Sequence, residues 1–403
     1  MRTFERTHPW LTFQLDLRKA NHRLWLNLGE ASSKCEHLAG VPLRPETHRL
    51  LHNIYLAKGI AATTAIEGNT LTEEEVCEHL AGRLKLPPSK EYQQREVDNM
   101  VKAFAHIYNE LVETGSVTPL STDRVRELHR LILEGLPTDD EVLVGDWRRH
   151  SVVVGNVYRG APAEDVPYLM ERLCTWLEGP DFQPPDAKLT TVFAILKAVI
   201  AHLYVAWIHP FGDGNSRVAR LMEFYALLSA GVPSTASHVL SNHYNQTRSE
   251  YYRQLDRASK SGGDVMPLLE YAVQGFVDGL RDQLKVVREQ QLDIAWRDFV
   301  HSQFHGRVGE AQRRQRDLAL AIADFKGPFS DWIPIADLSE LNPSLAKAYA
   351  RKSQKTLQRD LVELERMQLI EKSGREVRAK TEVILAFLPA RNAASAKVIA
   401  DRA

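Results

Sequence analysis

The sequence HPFGDGNSRVAR, residues 209–220, places a histidine, an acid, an amide and two arginines in one short window. A proline directly after the histidine ends the preceding apolar helix, because proline lacks an amide donor and clashes with the turn before it. The small residues that follow predict a turn whose backbone N–H groups, with the positive end of the next helix, attract an anion. From that helix Arg217 and Arg220 can both reach one polyanion, and Asp213 offers Mg²⁺ a hard oxygen ligand. His209 adds a base of ordinary pKa about 6.5, so the window predicts a phosphate site beside a group that takes a proton from an attacking hydroxyl.

The same window resembles the signature of the Fic family, HxFx(D/E)GNGRxxR, at every defined position except one. The resemblance implies transfer of AMP from ATP to a serine, threonine or tyrosine hydroxyl of a target protein, with His209 as general base. It also implies that Asp213 binds Mg²⁺ and that Arg220 grips the γ-phosphate. The nucleotide-binding positions that it implies are Gly214, Asn215, Ser216, Arg217 and Arg220.

Ser216 is the departure, because the family usually has a second glycine at this position. If the position needs a positive φ, the added Cβ costs about 1–2 kcal/mol and crowds the phosphate-binding turn. The sequence leaves three outcomes open: slow transfer, a shift to another nucleotide, or an additional hydroxyl donor in the turn.

A second short motif, TTAIEG, occupies residues 63–68. Thr63 and Glu67 are four residues apart and therefore share one helical face. The motif is similar to the inhibitory pattern (S/T)xxxE(G/N) of self-inhibited Fic proteins. That resemblance implies an inhibitory helix near residues 57–67, whose Glu67 pairs with Arg220 and so withdraws the γ-phosphate clamp.

The run SVVVGNVY, residues 151–158, is rich in β-branched residues around a Gly-Asn pair and predicts a short hairpin among helices. It resembles the flap of Fic proteins, which implies that Val153, Val154 and Gly155 hold a target segment as an added strand. A hairpin that only closes the edge of the helical bundle is the alternative.

Helical periodicity dominates the remaining sequence, so we expect a mainly α protein. The expected architecture is a Fic-type helical bundle with a small β-hairpin flap, followed by a C-terminal winged helix-turn-helix domain. The expected divisions are an N-terminal segment packing on the core (1–45), a Fic catalytic domain (46–262), a helical linker (263–315), a winged helix domain (316–390) and a tail (391–403).

The expected winged helix domain is rich in basic residues. Lys355 and Arg359 are four residues apart on one helical face, and a stripe of this kind can follow the phosphates of DNA. Further basic residues near them in sequence are Lys347, Arg351, Lys352, Lys372, Arg375, Arg378 and Lys380. The acidic residues interspersed among them are Asp360, Glu363, Glu365 and Glu371. Because these acids dilute the positive charge, DNA binding and a protein–protein or dimer contact both stay open.

Composition excludes several classes of protein. Lys and Arg number 51 against 52 Asp and Glu, so no overall field draws the chain to nucleic acid or to a membrane. The longest apolar run is interrupted by Lys197 and His202, which indicates a buried helix, and the first residues do not resemble a signal peptide. The three cysteines form no CxxC pair, and the chain contains no GxxxxGK(S/T), HExxH or GxSxG motif. We therefore expect a cytoplasmic protein without a membrane segment.

Three functional hypotheses follow. The first is a self-inhibited protein adenylyltransferase that uses Mg-ATP, modifies another protein or itself, and has a C-terminal winged helix for recruitment, with a homodimer left open. The second is a winged-helix DNA-binding regulator whose Fic core, blunted by Ser216, senses nucleotide or is weakly active. The third keeps the fold and reverses the chemistry, with Glu67 orienting a water that removes AMP from a modified protein.

Overall fold

The described part of the chain is mainly helical, with two small antiparallel sheets, and this confirms the predicted fold class. The computed structural model describes residues 2–43, 45–84, 86–115, 118–154, 158–325 and 330–385. The chain divides into two compact units, Met1–Leu284 and Lys285–Ala403.

The first unit is a helical bundle that carries one small hairpin. Its α-helices are α1 (Thr3–Thr7), α2 (His22–Gly40), α3 (Pro45–Ala65), α4 (Glu73–Leu80), α5 (Glu91–Thr114), α6 (Thr122–Leu133), α7 (Val166–Leu177), α8 (Thr190–Ile208), α9 (Asn215–Ser229), α10 (Val239–Gln246) and α11 (Arg248–Lys260). The hairpin pairs β1 (Val153–Val154) with β2 (Tyr158–Arg159) in antiparallel register.

Helix α8 lies at the centre of the bundle. It is apolar around almost its whole circumference, and most of its residues are buried, as expected of a helix with neighbours on most sides. It packs against α2, α7 and α9. The segment Ala187–Ile208 has the length and composition to cross a membrane, and 78% of it is buried inside the protein, which is the pattern of a core helix.

The connection between α8 and α9 carries the sequence window at residues 209–214. Helices α3, α5 and α6 all pack against α9. The turn that follows α3 and the first half of α5 therefore come close to this connection. Side chains from four stretches of sequence therefore surround this loop: the turn after α3, the first half of α5, α6 and α9.

Helix α12 (Met266–Gln303) runs across the division between the two units. Its first half buries Leu269 and Phe276 in the core of the first unit, and its second half buries Trp296 and Val300 in the core of the second. The sequence analysis predicts a helical linker over residues 263–315, and this division stays a prediction. Apolar side chains are buried on both halves of α12.

The described part of the second unit contains three further α-helices and a three-stranded sheet. The elements are α13 (Glu310–Asp324), β3 (Ile333–Pro334), α14 (Pro343–Tyr349), α15 (Gln354–Arg366), β4 (Ile370–Ser373) and β5 (Glu376–Ala379). The strands are antiparallel in the order β3-β5-β4. This order of helices and strands is the one that a winged helix-turn-helix requires. The assignment of this unit as a winged helix-turn-helix domain stays a prediction. Residues 386–403, at the end of the predicted domain and in the predicted tail, lie outside the described residues.

Candidate active site

His209 occupies the position at which α8 ends. Its backbone is left-handed, with φ 51° and ψ 62°, a conformation uncommon for residues other than glycine. The buried guanidinium of Arg148 holds this backbone: Nε donates to the carbonyl of His209 at 2.7 Å, and Nη1 donates to the carbonyl of His150 at 2.6 Å. Nη2 of Arg148 donates to the carbonyl of Ala161. The backbone N–H of Arg148 donates to the carbonyl of Pro210 at 3.0 Å. Arg148 therefore locks the strained end of α8 in place.

The imidazole of His209 faces the cleft and is only partly exposed. Burial lowers its pKa to about 4, and a hydrogen bond to the carbonyl of Ala206 opposes this effect in part. The ring is consequently neutral near pH 7. A neutral imidazole is the form that accepts a proton from a hydroxyl.

His129, on α6, supports the loop from the other side. The backbone N–H of Gly145 donates to its Nδ1 at 2.9 Å, so Nε2 carries the proton and donates to the carbonyl of Asp213 at 3.0 Å. Its ring stacks on Phe211 with 3.7 Å between centroids. Burial lowers the pKa of His129 to about 4, which keeps the ring neutral and this set of hydrogen bonds intact.

Gly214 and Asn215 shape the turn before α9. Gly214 has φ 77°, and a Cβ there would lie 3.1 Å from Ile132 and 3.4 Å from His129, so the position suits glycine alone. The buried side chain of Asn215 bonds twice to Phe211, accepting from its N–H at 2.8 Å and donating to its carbonyl at 2.9 Å. Asn215, which the family resemblance assigns to nucleotide binding, thus also closes the loop through its side-chain amide.

Ser216 is the second residue of α9 and lines the cleft. In the described part of the chain, the residues other than glycine that have a positive φ are Phe13, His209 and Gln368. The condition for strain at Ser216 is therefore not met, because the left-handed position of the turn falls on Gly214. The hydroxyl at this position leaves the turn unstrained.

Arg220 forms the ion pair that the inhibitory motif implies. Its Nη2 lies 2.9 Å from Oε1 of Glu67 and donates to the carbonyl of Thr63, also at 2.9 Å. The guanidinium is fully buried, and its Nε and Nη1 have no hydrogen-bond partner among the described residues, whereas the Glu67 side chain is 26% exposed. The pair is present in the structure, and its inhibitory role stays a prediction.

Arg217 is paired with two acids rather than free in the cleft. Its Nη1 lies 2.8 Å from Oε1 of Glu96, and its Nη2 lies 3.0 Å from Oδ2 of Asp213. The other carboxylate oxygen of Glu96 accepts from Nδ2 of Asn69 at 2.9 Å. No local pattern in the sequence marks Glu96, which lies on α5 and is buried against α9.

Asp213 presents the carboxylate that best fits a cation. Its side chain is 46% exposed, with Oδ1 accepting from the N–H of Gly214 at 2.6 Å and Oδ2 paired with Arg217. Among the described residues no group of three or more His, Cys, Asp or Glu side chains can hold a metal ion. One carboxylate is the protein's usual share when Mg²⁺ takes its other ligands from phosphates and water. The site therefore fits a cation that arrives with a nucleotide.

A cleft of about 450 Å³ lies over these residues. The predicted site residues among those that line it are Glu67, Val153, Val154, His209, Asp213, Gly214, Asn215 and Ser216. Val153 and Val154 form β1, with 53% and 38% of their surfaces exposed. Gly155, the third predicted flap residue, lies outside the described residues.

Comparisons with known proteins agree with this geometry. The model of the Fic/DOC family matches residues 119–227. Protein adenylyltransferase fic-1 of Caenorhabditis elegans is 30% identical over 243 residues, which cover 58% of this chain and 43% of that protein. Protein adenylyltransferase Fic of Drosophila melanogaster is 28% identical over 242 residues, 60% of this chain and 44% of that protein. The chain thus spans less than half the length of these curated relatives.

Solved structures share the fold. A Fic family protein from Desulfovibrio desulfuricans G20 aligns with a TM-score of 0.55 at 20% identity, covering 91% of this chain and 98% of that one. Fic-1 from Caenorhabditis elegans aligns with a TM-score of 0.51 at 23% identity, covering 65% of this chain and 72% of that one. The family model thus matches residues 119–227, and these structures show that the chain shares the fold of Fic proteins.

Proposed function

We propose that this protein is an adenylyltransferase that transfers AMP from ATP to a hydroxyl of a protein. The observation that carries the proposal is the α8–α9 loop, where a neutral imidazole lies beside the amino end of α9 and the carboxylate of Asp213. The amino end of a helix attracts phosphate through its free N–H groups and its dipole. The names of the curated relatives support the same activity.

In the proposed reaction the target hydroxyl oxygen forms a bond to the α-phosphorus of ATP, and its proton passes to the imidazole of His209. The bond from that phosphorus to the β-phosphate oxygen breaks, and pyrophosphate leaves with the electron pair. The low pKa of His209 supports this role, because the ring is already in its base form. Mg²⁺ held at Asp213 would neutralise phosphate charge when the nucleotide is bound.

We further propose that Glu67 inhibits the enzyme. A γ-phosphate that binds Arg220 must replace Glu67, because the guanidinium is fully buried and Glu67, which lines the cleft, is paired with its Nη2. Removing one partner of a buried ion pair destabilises a protein by about 3–5 kcal/mol unless a new charge takes its place. The nucleotide would bind productively only when the turn after α3 moves or when Glu67 is removed.

The target protein would bind along the flap. The exposed residues of β1 line the cleft next to His209, and an extended segment can add to such a strand through backbone hydrogen bonds. Backbone pairing accommodates different sequences, so a serine, threonine or tyrosine could be presented from another protein or from a second copy of this chain.

The three cysteines are unpaired, which favours the reducing cytoplasm as the location.

Removal of AMP from a modified protein is a second candidate activity. Glu67 lines the same cleft as His209 and keeps part of its carboxylate exposed, so it can orient a water molecule. The same residue would then inhibit the forward reaction and assist the reverse one. Ser216 introduces no positive φ, so backbone strain does not support the nucleotide-sensing alternative, and crowding of the phosphates by the serine side chain is its remaining basis.

The test compares wild type, Glu67→Gly and the double variant Glu67→Gly/His209→Ala by intact mass after incubation with Mg-ATP. An added mass of roughly 329 Da, that of AMP, on the Glu67→Gly protein alone supports both the transferase and its inhibition through a step that needs His209. Glu141→Gly is the matched control, because Glu141 lines the same cleft but does not contact Arg220. We expect Glu141→Gly to behave as wild type.

Two further results discriminate between the candidates. If Glu67→Gly shows no adduct, alone or with a cell extract that supplies targets, forward transfer is contradicted. If wild type removes AMP from a protein modified by Glu67→Gly and the variant itself does not, the reverse activity is supported.

A further inference from the structure

Two groups of charged side chains around α14, α15 and the β4–β5 hairpin differ in their pairing. The first group consists of acids that the sequence mixes with the basic residues. Each of them has a partner: Asp360 pairs with Arg314, Glu363 with Arg366 and Arg307, Glu365 with Lys372, and Glu371 with Arg378. These acids are neutralised locally and do not dilute the charge elsewhere on the unit.

The second group consists of exposed cations with no ion pair or side-chain hydrogen bond among the described residues. They are Lys347, Arg351, Lys352, Lys355, Arg359 and Arg375. Five of the six lie between the end of α14 and the middle of α15, and Arg375 lies at the tip of the hairpin between β4 and β5. The unpaired positive charge is therefore concentrated at one helix-turn-helix and one turn.

Helix α15 presents a distinct outer face. Asp360, Leu361 and Leu364 are buried, while Lys355 and Arg359 are exposed and four residues apart on the outer face. Val362 continues that face three residues later with 59% of its surface exposed. An exposed apolar residue beside two cations suits a surface that contacts base edges as well as phosphates.

We propose that the second unit binds duplex DNA, with α15 in the major groove and Arg375 on a neighbouring phosphate. The second helix of a helix-turn-helix enters the major groove with its amino-terminal residues, and these are the residues that carry unpaired charge here. The charge of the whole chain is −1, so the attraction would be local to this face. This binding activity is separate from adenylyl transfer and would bring the Fic domain to DNA.

The experiment measures binding of the full chain to a fluorescently labelled random-sequence duplex by anisotropy, at salt concentrations from about 50 to 200 mM. Wild type is expected to bind at the low end and to weaken steeply with salt, because each neutralised phosphate contributes about −0.9 to the slope of log K against log salt. Lys355→Ala/Arg359→Ala is expected to weaken binding at least about tenfold and to reduce the magnitude of the slope by about 2.

The matched control is Arg366→Ala/Lys372→Ala. It removes the same two charges from the same unit, but from cations that are paired with Glu363 and Glu365. We expect its affinity to change by no more than about threefold and its salt slope to stay as in wild type. Thermal unfolding of both double variants shows that they remain folded, and a Lys355→Gln/Arg359→Gln variant replaces the alanine pair if that pair unfolds early.

Three results would overturn the proposal. The first is no binding of wild type at low salt, which would leave the cationic face to a protein partner. The second is an equal loss in both double variants, which would reduce the effect to net charge. The third is equal affinity for single-stranded DNA of the same sequence, because docking in a groove requires a duplex. The assay contains no ATP, so its outcome does not depend on adenylyl transfer.

Discussion

Glu96 and Arg217 form a buried ion pair, with 2.8 Å between Oε1 and Nη1, and Asn69 donates to the second carboxylate oxygen at 2.9 Å. Asn69 lies two residues after Glu67, which contacts Arg220 directly. The turn after α3 is thus joined to both arginines of α9. Glu67 pairs directly with Arg220, and Asn69 is connected to Arg217 through Glu96. A movement that frees one arginine would also disturb the partner of the other.

Asn69→Ala tests this connection. The substitution leaves one oxygen of buried Glu96 without its donor and removes the hydrogen bond from the N–H of Leu71 to Oδ1 of Asn69, at 3.0 Å. We expect a loss of about 1–3 kcal/mol in the free energy of unfolding and a rate of adenylyl transfer between those of wild type and Glu67→Gly. Urea denaturation and the rate of AMP incorporation measure the two effects.

Thr70→Ala is the control for Asn69→Ala. Thr70 is the next residue along the turn, and its exposed hydroxyl donates to Oε1 of Gln93 at 3.0 Å. We expect this variant to match wild type in stability and rate. If both variants stay fully inhibited, the Asn69–Glu96 contact has no part in holding Glu67.

Arg148→Lys tests the lock on the end of α8. Lysine keeps the charge but cannot supply the forked donors that now reach the carbonyls of His209, His150 and Ala161. We expect the rate of transfer to fall at least about tenfold, because a small displacement of a base at a reacting centre has an effect of this order. Measurement on the Glu67→Gly background keeps inhibition out of the comparison.

Arg149→Lys is the neighbouring control. The side chain of Arg149 is 81% exposed and lies 3.9 Å from Asp146, so its contribution is small. An equal fall in rate for the two lysine variants would argue against a specific lock on His209. A fall for Arg148→Lys alone identifies it as a positioning residue.

The sequence predicted those parts of the site that lie in continuous motifs. Residues 209–220 supplied the base, the acid and the arginines, and the motif at 63–68 led to the Glu67–Arg220 pair. Arg148, His129 and Glu96 could not be recognised in the same way. Their roles depend on which backbone carbonyls and side chains face them after folding, and they come from three different stretches of the chain.

In the second unit, the sequence likewise did not reveal which charged side chains form ion pairs. Acidic residues alternate with basic ones along the sequence of α15 and the hairpin, which suggested a diluted patch. In the structure those acids pair with particular cations, such as Lys372 with Glu365, and leave the cations before and within the first half of α15 unpaired. Ion pairing across a fold is not visible from spacing, whereas the Lys355–Arg359 face was predictable from its helical period.

The pH profile tests the state of His209. Burial lowers its pKa to about 4, so we expect kcat/KM of Glu67→Gly to lose no activity through this group until the pH falls toward 4. An acidic limb with an apparent pKa near the ordinary value of about 6.5 would contradict the assignment. The rate is measured from about pH 5 to 8 with circular dichroism at each point.

Circular dichroism is needed at each pH because the lowered pKa values of buried histidines also change the stability of the fold. The pKa of His209 and His129 in the folded protein is about 4, below the ordinary value that applies when the chain is unfolded. Between those values the unfolded chain binds more protons, so the free energy of unfolding decreases as the pH falls through this window. Loss of activity that coincides with unfolding is attributed to stability and not to the base.

Ser216→Gly restores the residue that the Fic signature has at this position, and we expect it not to accelerate transfer. Ser216 lies within the first turn of α9 with no positive φ, so glycine relieves no strain there and destabilises the helix by about 0.5–1 kcal/mol. Gly214→Ala is the opposite case: at φ 77° the new Cβ would lie 3.1 Å from Ile132, and we expect at least about 1–2 kcal/mol of destabilisation with a lower rate. Thermal unfolding and AMP incorporation on the Glu67→Gly background compare the two. A large gain in rate for Ser216→Gly would show that the serine hydroxyl itself obstructs the nucleotide, because the backbone at this position is already relaxed.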